Sequence, residues 1–161
     1  MEPDKTYVLI LKDSLTNKIH VLNTLIELTD EQGILVKGDD PDIDMFNELL
    51  DAKEKQIDMI NMLDDGFDNI YNKVSESIKS SPSAYREELE DIKGLIEKAV
   101  ELGNKLEAME YSNKEFVEKF IRDKRAELRR FRTSKSISDS YNRNMPNQHM
   151  VGDSYFLNQK K

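Results

Sequence analysis

Apolar residues recur at steps of three and four along most of the chain, which is the period of a buried stripe on an α-helix. The second helix is the most regular, with ten of eleven stripe positions apolar between Ile43 and Ile78 and with Lys53 as the exception. We expect an all-α fold, an elongated antiparallel helical bundle or coiled coil over residues 1–132. The pattern predicts three long helices, at about residues 7–29, 42–79 and 82–132.

The breaks between these helices carry their own signals. Residues 31 to 42, EQGILVKGDDPD, combine glycine, proline and clustered acids, which favours a turn and places Asp40 or Asp42 as the cap of the second helix. Ser81 followed by Pro82 is a start signal for the third helix. Ser112 and Glu115 fit a capping box that could divide this helix, but we favour a continuous helix.

Two residues inside the stripes are unusual. Asn113 occupies a stripe position of the third helix, where a polar side chain fixes register at some cost in stability. Gly66 lies inside the second helix, where it costs about 1 kcal/mol relative to Ala. A close helix crossing at Gly66 and simple tolerance of the glycine are both open interpretations.

The periodicity ends at Thr133. Residues 133–161 are rich in Ser, Asn, Gln and Lys and lack a stripe that could be buried, so we predict a flexible C-terminal tail. Isolated aromatic residues in this segment are spaced like anchors that order only against a partner. The candidates are Tyr141, Tyr155 and Phe156.

Composition narrows the class of protein. The 161 residues fit one domain, and the absence of cysteine excludes disulfides and thiolate metal sites. A net charge of −8 argues against nucleic-acid binding, because a polyanion is repelled. The apolar run from Tyr7 to Leu11 is too short for a signal-peptide core, and no stretch approaches the roughly 18 apolar residues of a membrane span. We expect a cytoplasmic protein without membrane insertion.

Catalytic and ligand-binding motifs are missing from the sequence. Its two histidines, His20 and His149, stand in no metal-ligand spacing, and the glycines form no phosphate-binding loop. The acids from Asp39 to Asp44 lack the glycine and terminal glutamate of a calcium loop. We expect no catalytic, cofactor-binding or metal residues, and a protein that is not an enzyme.

The late third helix is the candidate binding surface. This helix is longer than the other two, so part of its apolar stripe has no partner within the chain, and an exposed amphipathic face can receive another protein's helix. The alternative is that the same side chains are core. The candidates are Phe116, Val117, Phe120, Ile121, Leu128 and Phe131.

Charge is unevenly spread along the chain. Residues 119 to 132 carry seven basic side chains, either as a complement to the negative helix end or as a dock for an acidic partner. Residues 27 to 51 carry nine acids and one lysine. These opposite charges suggest complementarity within the chain or with a partner.

Residues 54 to 74, EKQIDMINMLDDGFDNIYNKV, resemble the central signature of the FlgN family of flagellar type III export chaperones. The later stretch LEAMEYSNKEFVEKFIRDKRAELRRFR is similar to the third helix of that family. The ending resembles clostridial-type members, with Asn158 where an acid is expected. The signature residues are Glu54, Lys55, Leu63, Asp64, Gly66 and Phe67.

The resemblance implies a cytoplasmic chaperone without cofactors. It would bind hook-associated proteins, which form the hook–filament junction, keep them export-competent and deliver them to the export gate. The alternatives are a FliT-type chaperone of the filament cap and a structural coiled-coil scaffold. Whether the chain forms a homo-oligomer is left open.

Overall fold

The computed structural model of the protein describes residues 3 to 138, and these residues form helices joined by short connections. Three α-helices and one 3₁₀ turn follow one another in the chain, and the described residues contain no strand. The predicted all-α, three-helix fold is confirmed. The elements are α1 Pro3–Lys37, α2 Ile43–Ser80, the 3₁₀ turn Pro82–Tyr85 and α3 Arg86–Ser138.

Helix α1 lies at the centre of the bundle. It packs against both α2 and α3, whose backbones scarcely approach each other among the described residues. At one end Val8 of α1 meets Val74 and Ile92, and at the other Val36 meets Phe46 and Val117. Helix α1 is therefore antiparallel to α2 and parallel to α3.

The core is a row of three apolar clusters. The first surrounds Val8 and Tyr85, and the second, which is smaller, lies at mid-bundle around Leu22 and Leu102. The third cluster lies at the far end, where the rings of Phe46 and Phe120 are 4.6 Å apart between centroids. Narrow stripes thus supply the core, as the high charged fraction of the sequence requires.

Helix α1 is eight residues longer at its C-terminal end than the sequence predicted. The predicted break near residue 30 does not occur, because the following turns have tertiary partners that outweigh the weak helix propensity of Gly33. Gln32 is buried against Lys53, and Val36 joins the far-end core. The chain turns only at residues 38–42, where Asp40 adopts a φ of 46°.

The starts of the next helices follow their sequence signals. Asp42 caps α2, and its carboxylate accepts a hydrogen bond from the backbone N–H of Asp44 at 2.8 Å. Pro82 opens the 3₁₀ turn rather than α3 itself, and Ser81 makes no side-chain capping bond there. Helix α3 then runs without interruption past Ser112, so the continuous-helix interpretation is confirmed.

A buried polar layer crosses the bundle between the middle and far-end clusters. The Lys53 ammonium is fully buried and donates hydrogen bonds to both carboxylate oxygens of Glu110, at 2.9 and 3.0 Å, and to Oε1 of Gln32 at 2.8 Å. Next to it, Nδ2 of Asn113 donates to the backbone carbonyl of Thr29 at 3.1 Å. All three helices contribute, so this layer aligns them at one level.

Candidate partner-binding surface

The apolar stripe of α3 is covered by its own bundle along one part and uncovered along the next. Phe120, Lys124, Leu128 and Phe131 follow at steps of four, four and three, so they share one helix face. Ile121 is the last α3 residue in the buried core among the described residues. Helix α3 continues for 14 residues after Lys124, or about 21 Å at 1.5 Å per residue. We call residues 125–138 the distal segment.

Three of the six candidates on α3 are core residues. Val117, Phe120 and Ile121 are at most 7% exposed and pack with Val36 and Phe46. These three side chains therefore belong to the core, as the alternative interpretation of the sequence had it. In this conformation another protein cannot contact them.

Leu128 and Phe131 lie on the distal segment. Leu128 is half-buried, and Phe131 is 57% exposed with the Lys135 ammonium 5.8 Å from its ring centre. The same helix face is buried core at Phe120, eight residues before Leu128 and eleven before Phe131. A large apolar side chain that is exposed on such a face is what a docking helix needs.

Phe116 lies elsewhere. Its ring is 42% exposed, and the ammonium of Lys37 sits 5.4 Å from the ring centre, so it belongs to the junction of α1 and α3. The three tail candidates, Tyr141, Tyr155 and Phe156, lie outside the described residues.

The distal segment and its base are strongly basic. From residue 122 to residue 138 there are seven lysines and arginines and two acids. The pKa of Asp123 is lowered, first by the hydrogen bond from Lys119 at 2.6 Å and further by the charges of Arg122 and Arg130. This region therefore presents a positive surface around Phe131.

One ion pair links the basic region to the acidic one. Lys124 lies 3.4 Å from Asp40 in the turn between α1 and α2, and its ammonium is 5.7 Å from the ring centre of Phe120. The predicted complementarity within the chain is therefore present at this point. This ion pair lies at the level where the bundle ends and the distal segment begins.

Other functional features escaped the sequence reasoning. The sequence showed Lys53 as the one polar residue of the α2 stripe, but it did not reveal the ion pair that Lys53 forms with Glu110, because Glu110 lay on no predicted stripe. Ile96 is a stripe residue of the third helix, and Val100 and Gly103, which follow it at steps of four and three, were not assigned to the stripe, although all three line one cavity between α2 and α3. Among residues 3–138 no cluster of histidine and acidic side chains could hold a metal ion.

The fold defines the protein as an all-α bundle of three long helices. The sequence profile of the FlgN family, described as FlgN protein, matches residues 8–146, and the chain belongs to this family. The FlgN family comprises flagellar export chaperones, so the identification drawn from residues 54–74 is confirmed and the protein is a flagellar export chaperone. No curated protein and no solved structure matches the chain. Within the described residues, no helix is apolar over a length sufficient to cross a bilayer.

Proposed function

We propose that this chaperone binds the hook-associated proteins of the hook–filament junction in the cytoplasm, keeps them export-competent and delivers them to the export gate. Capture is by helix-to-helix packing. A terminal helix of the substrate lies on Leu128 and Phe131 of the distal segment, where α1 and α2 no longer cover α3.

One observation carries this proposal. The face of α3 that α1 and α2 bury at Phe120 and Ile121 continues into the distal segment without a described core partner. A substrate helix placed there would extend the bundle and shield its own apolar stripe from self-association. Large apolar anchors dominate interfaces of this kind.

The basic side chains around Phe131 favour a substrate helix with acidic flanks. Complementary charge raises the association rate and selects among partners more than it adds affinity. Tyr141, Tyr155 and Phe156 are proposed to add contacts after the substrate has docked. The ordering of such a segment costs about 2–5 kcal/mol, so its effect would appear in binding and not in the stability of the bundle.

The test is a titration of a purified hook-associated protein with the full chain. Leu128→Ser and Phe131→Ser together should weaken binding at least tenfold. Met62→Ser is the matched control, because Met62 is an apolar side chain of α2 that is 72% exposed and lies off the distal segment. Equal affinities of the double variant and the control would contradict the proposal.

The same preparation separates the alternatives. A filament-cap protein that binds much more tightly than a hook-associated protein would favour the FliT-type function. A stable multimer that binds neither protein would favour the scaffold.

A further inference from the structure

The distal segment projects from one end of the bundle. The turn 38–42 between α1 and α2 lies level with Lys124, whose ammonium is 3.4 Å from Asp40. Beyond that level α3 continues for 14 residues, about 21 Å, and no other described helix runs beside it. The face of Leu128 and Phe131 therefore borders an open space at the end of α1. We call this space, between that face and the turn, the notch.

The basic residues of the distal segment are concentrated in its first half. Residues 125 to 132 hold four arginines and one glutamate, whereas residues 133 to 138, TSKSIS, hold one lysine and four hydroxyl side chains. An antiparallel copy of the segment would set each arginine-rich half against the hydroxyl-rich half of the other. A parallel copy would bring arginine against arginine, and like charges at close range repel each other. The segment is therefore complementary to itself in the antiparallel direction only.

The length of the segment sets the register of such a pair. If each tip reaches the end of the other bundle, residue 125 of one copy faces residue 138 of the second copy. Leu128 then faces Lys135 of the second copy, and Phe131 lies beside the two-fold axis. Leu128, Phe131 and Lys135 follow at steps of three and four, so they share one helix face. The aliphatic stem of Lys135, whose ammonium already lies 5.8 Å from the Phe131 ring centre, can cover Leu128 of the second copy.

Each tip in this register meets the acidic turn of the other copy. Residues 38 to 51 carry six acids and neither lysine nor arginine. Two cations lie beside them: Lys124 pairs with Asp40, and the Lys37 ammonium sits over the ring of Phe116. Exposed carboxylates remain to attract the cations of an incoming tip. The exposed aspartates are Asp39, Asp42 and Asp44.

We infer that a second copy of the chain covers the distal segment, with the two segments antiparallel in the notch and the tip of each at the acidic turn of the other. The inference goes beyond the proposed function, because it concerns contact between copies of the chaperone. One consequence rests on that function: the second copy covers Leu128 and Phe131 until a substrate helix displaces it. Two short segments form a small interface, and interfaces below about 1,200 Å² are typical of weak, exchangeable complexes.

Two other arrangements have less support from charge. Residues 139–161 of the same chain carry three basic and two acidic residues, so their net charge has the same sign as that of the distal segment and does not hold them against its arginines. The cavity between α2 and α3 could receive the distal segment of another copy. Its lining carries Lys18 and Asp64, which already pair with each other at 2.8 Å and offer no free acid to a basic segment.

Single cysteines test the register, because the natural chain has no cysteine. Full-length Leu128→Cys and Lys135→Cys are mixed and oxidised, and disulfide-linked dimers are followed on gels. The mixed disulfide should form at least tenfold faster than either variant forms with itself. Like positions lie seven residues apart in this register, about 10 Å along the axis, which exceeds the Cα separation of about 7 Å that a disulfide allows. Arg130→Cys, on the far side of the helix from Leu128, is the control and should cross-link with neither.

Sedimentation equilibrium of the full chain measures the association itself. We expect a monomer–dimer equilibrium of the wild type between about 1 and 100 µM, as for weak complexes. Phe131→Arg should weaken the dimer at least tenfold, because it places two cations beside the two-fold axis. Met62→Arg is the matched control: Met62 is a 72% exposed apolar residue of α2, away from the notch, and its variant should dimerise as the wild type does. Circular dichroism checks that both variants stay helical.

An excess of hook-associated protein tests the consequence for capture. It should suppress the disulfide between Leu128→Cys and Lys135→Cys at least tenfold. Unchanged cross-linking in the presence of bound hook-associated protein would overturn the competition. Intact cross-linking by a chain that binds no hook-associated protein would overturn only the proposed function.

Three results would overturn the inference itself. The first is a wild-type chain that stays monomeric over the whole concentration range. The second is faster disulfide formation by Leu128→Cys with itself, which indicates a parallel pair, or with Val100→Cys, which places the distal segment in the cavity between α2 and α3. The third is a monomer whose Leu128→Cys thiol resists alkylation until Tyr155→Ser, Phe156→Ser and Leu157→Ser are introduced together, which makes the chain's own segment the occupant.

Discussion

A Cβ atom added to Gly33 would lie 2.6 Å from Oδ1 and 2.8 Å from Nδ2 of Asn113. Helices α1 and α3 therefore cross closely at this pair. A glycine is required at position 33 because any side chain there would collide with the Asn113 amide. Asn113 is 5% exposed and its amide bonds the carbonyl of Thr29, so it cannot turn away freely. The pair fixes the register of α1 against α3 beside the buried Lys53.

Gly33→Ala should lower the free energy of unfolding by about 1–3 kcal/mol, as overpacking does, although Ala is the better helix former. Gly66→Ala is the control, because nothing lies within 4 Å of that Cβ and the residue is exposed. The control should raise stability by about 0.5–1 kcal/mol. Urea denaturation measures both. A stabilised Gly33→Ala variant would show that the crossing is looser than the structure has it.

The same contact predicts a coupling between the two positions. In an Asn113→Ala background the obstacle is gone, so Gly33→Ala should no longer destabilise the protein. Residues in direct contact show such non-additivity, on the order of 0.5–3 kcal/mol. The double-mutant cycle of Gly33→Ala and Asn113→Ala measures it. Additive effects would assign the cost of Gly33→Ala to another cause.

Gly33 also shows where sequence reasoning reached its limit. A glycine within EQGILVKGDDPD predicted a break, yet Gly33 lies inside α1 and packs against Asn113, 80 positions later in the sequence. Gly66 was assigned either a crossing or simple tolerance, and the open space around it supports tolerance. Local propensity cannot separate these two glycines, because the difference lies in a contact between distant parts of the chain.

Phe120 and Phe131 should respond differently to truncation. Phe120 is 4% exposed and packs on Phe46, so Phe120→Ala should cost about 3–5 kcal/mol of stability. Phe131 is mostly exposed, so Phe131→Ala should change stability by no more than about 0.5 kcal/mol. Thermal melts of both variants check this. A strongly destabilised Phe131→Ala would mean that the distal segment packs on the bundle.

The sequence predicted the stripe on which both phenylalanines lie, and it did not predict where along the stripe burial ends. That boundary depends on the length of α1 and on the turn that brings Asp40 to Lys124. Since α1 proved eight residues longer than predicted, the far-end core now covers Val117, Phe120 and Ile121. The candidate surface moved toward Leu128 and Phe131 for the same reason.

Thr29 offers a test of a buried hydroxyl. Its side chain is fully buried, and its Oγ1 has no hydrogen-bond partner among the described residues. Thr29→Val replaces the hydroxyl by a methyl group of similar size and removes a cost of about 1–3 kcal/mol for an unpaired buried polar group. The variant should therefore melt at a higher temperature than the wild type. A lower melting temperature would indicate a hydrogen bond to water at this position.

Removing one member of the buried Lys53–Glu110 pair should destabilise the protein strongly, whereas replacing both members by apolar residues should destabilise it less. Lys53→Met removes the ammonium from a carboxylate that is 7% exposed, and from Gln32 as well, so it should cost about 3–5 kcal/mol. Glu110→Met should be similarly costly, because it leaves a buried ammonium. The double variant removes both charges and fills the layer with apolar side chains of similar length. It should lose less stability than either single variant, since a pair of buried charges exchanged for packed apolar residues is often neutral or stabilising. Urea denaturation of the three variants measures this coupling. Losses that simply add in the double variant would mean that the ion pair itself contributes little and that the side chains act through their packing.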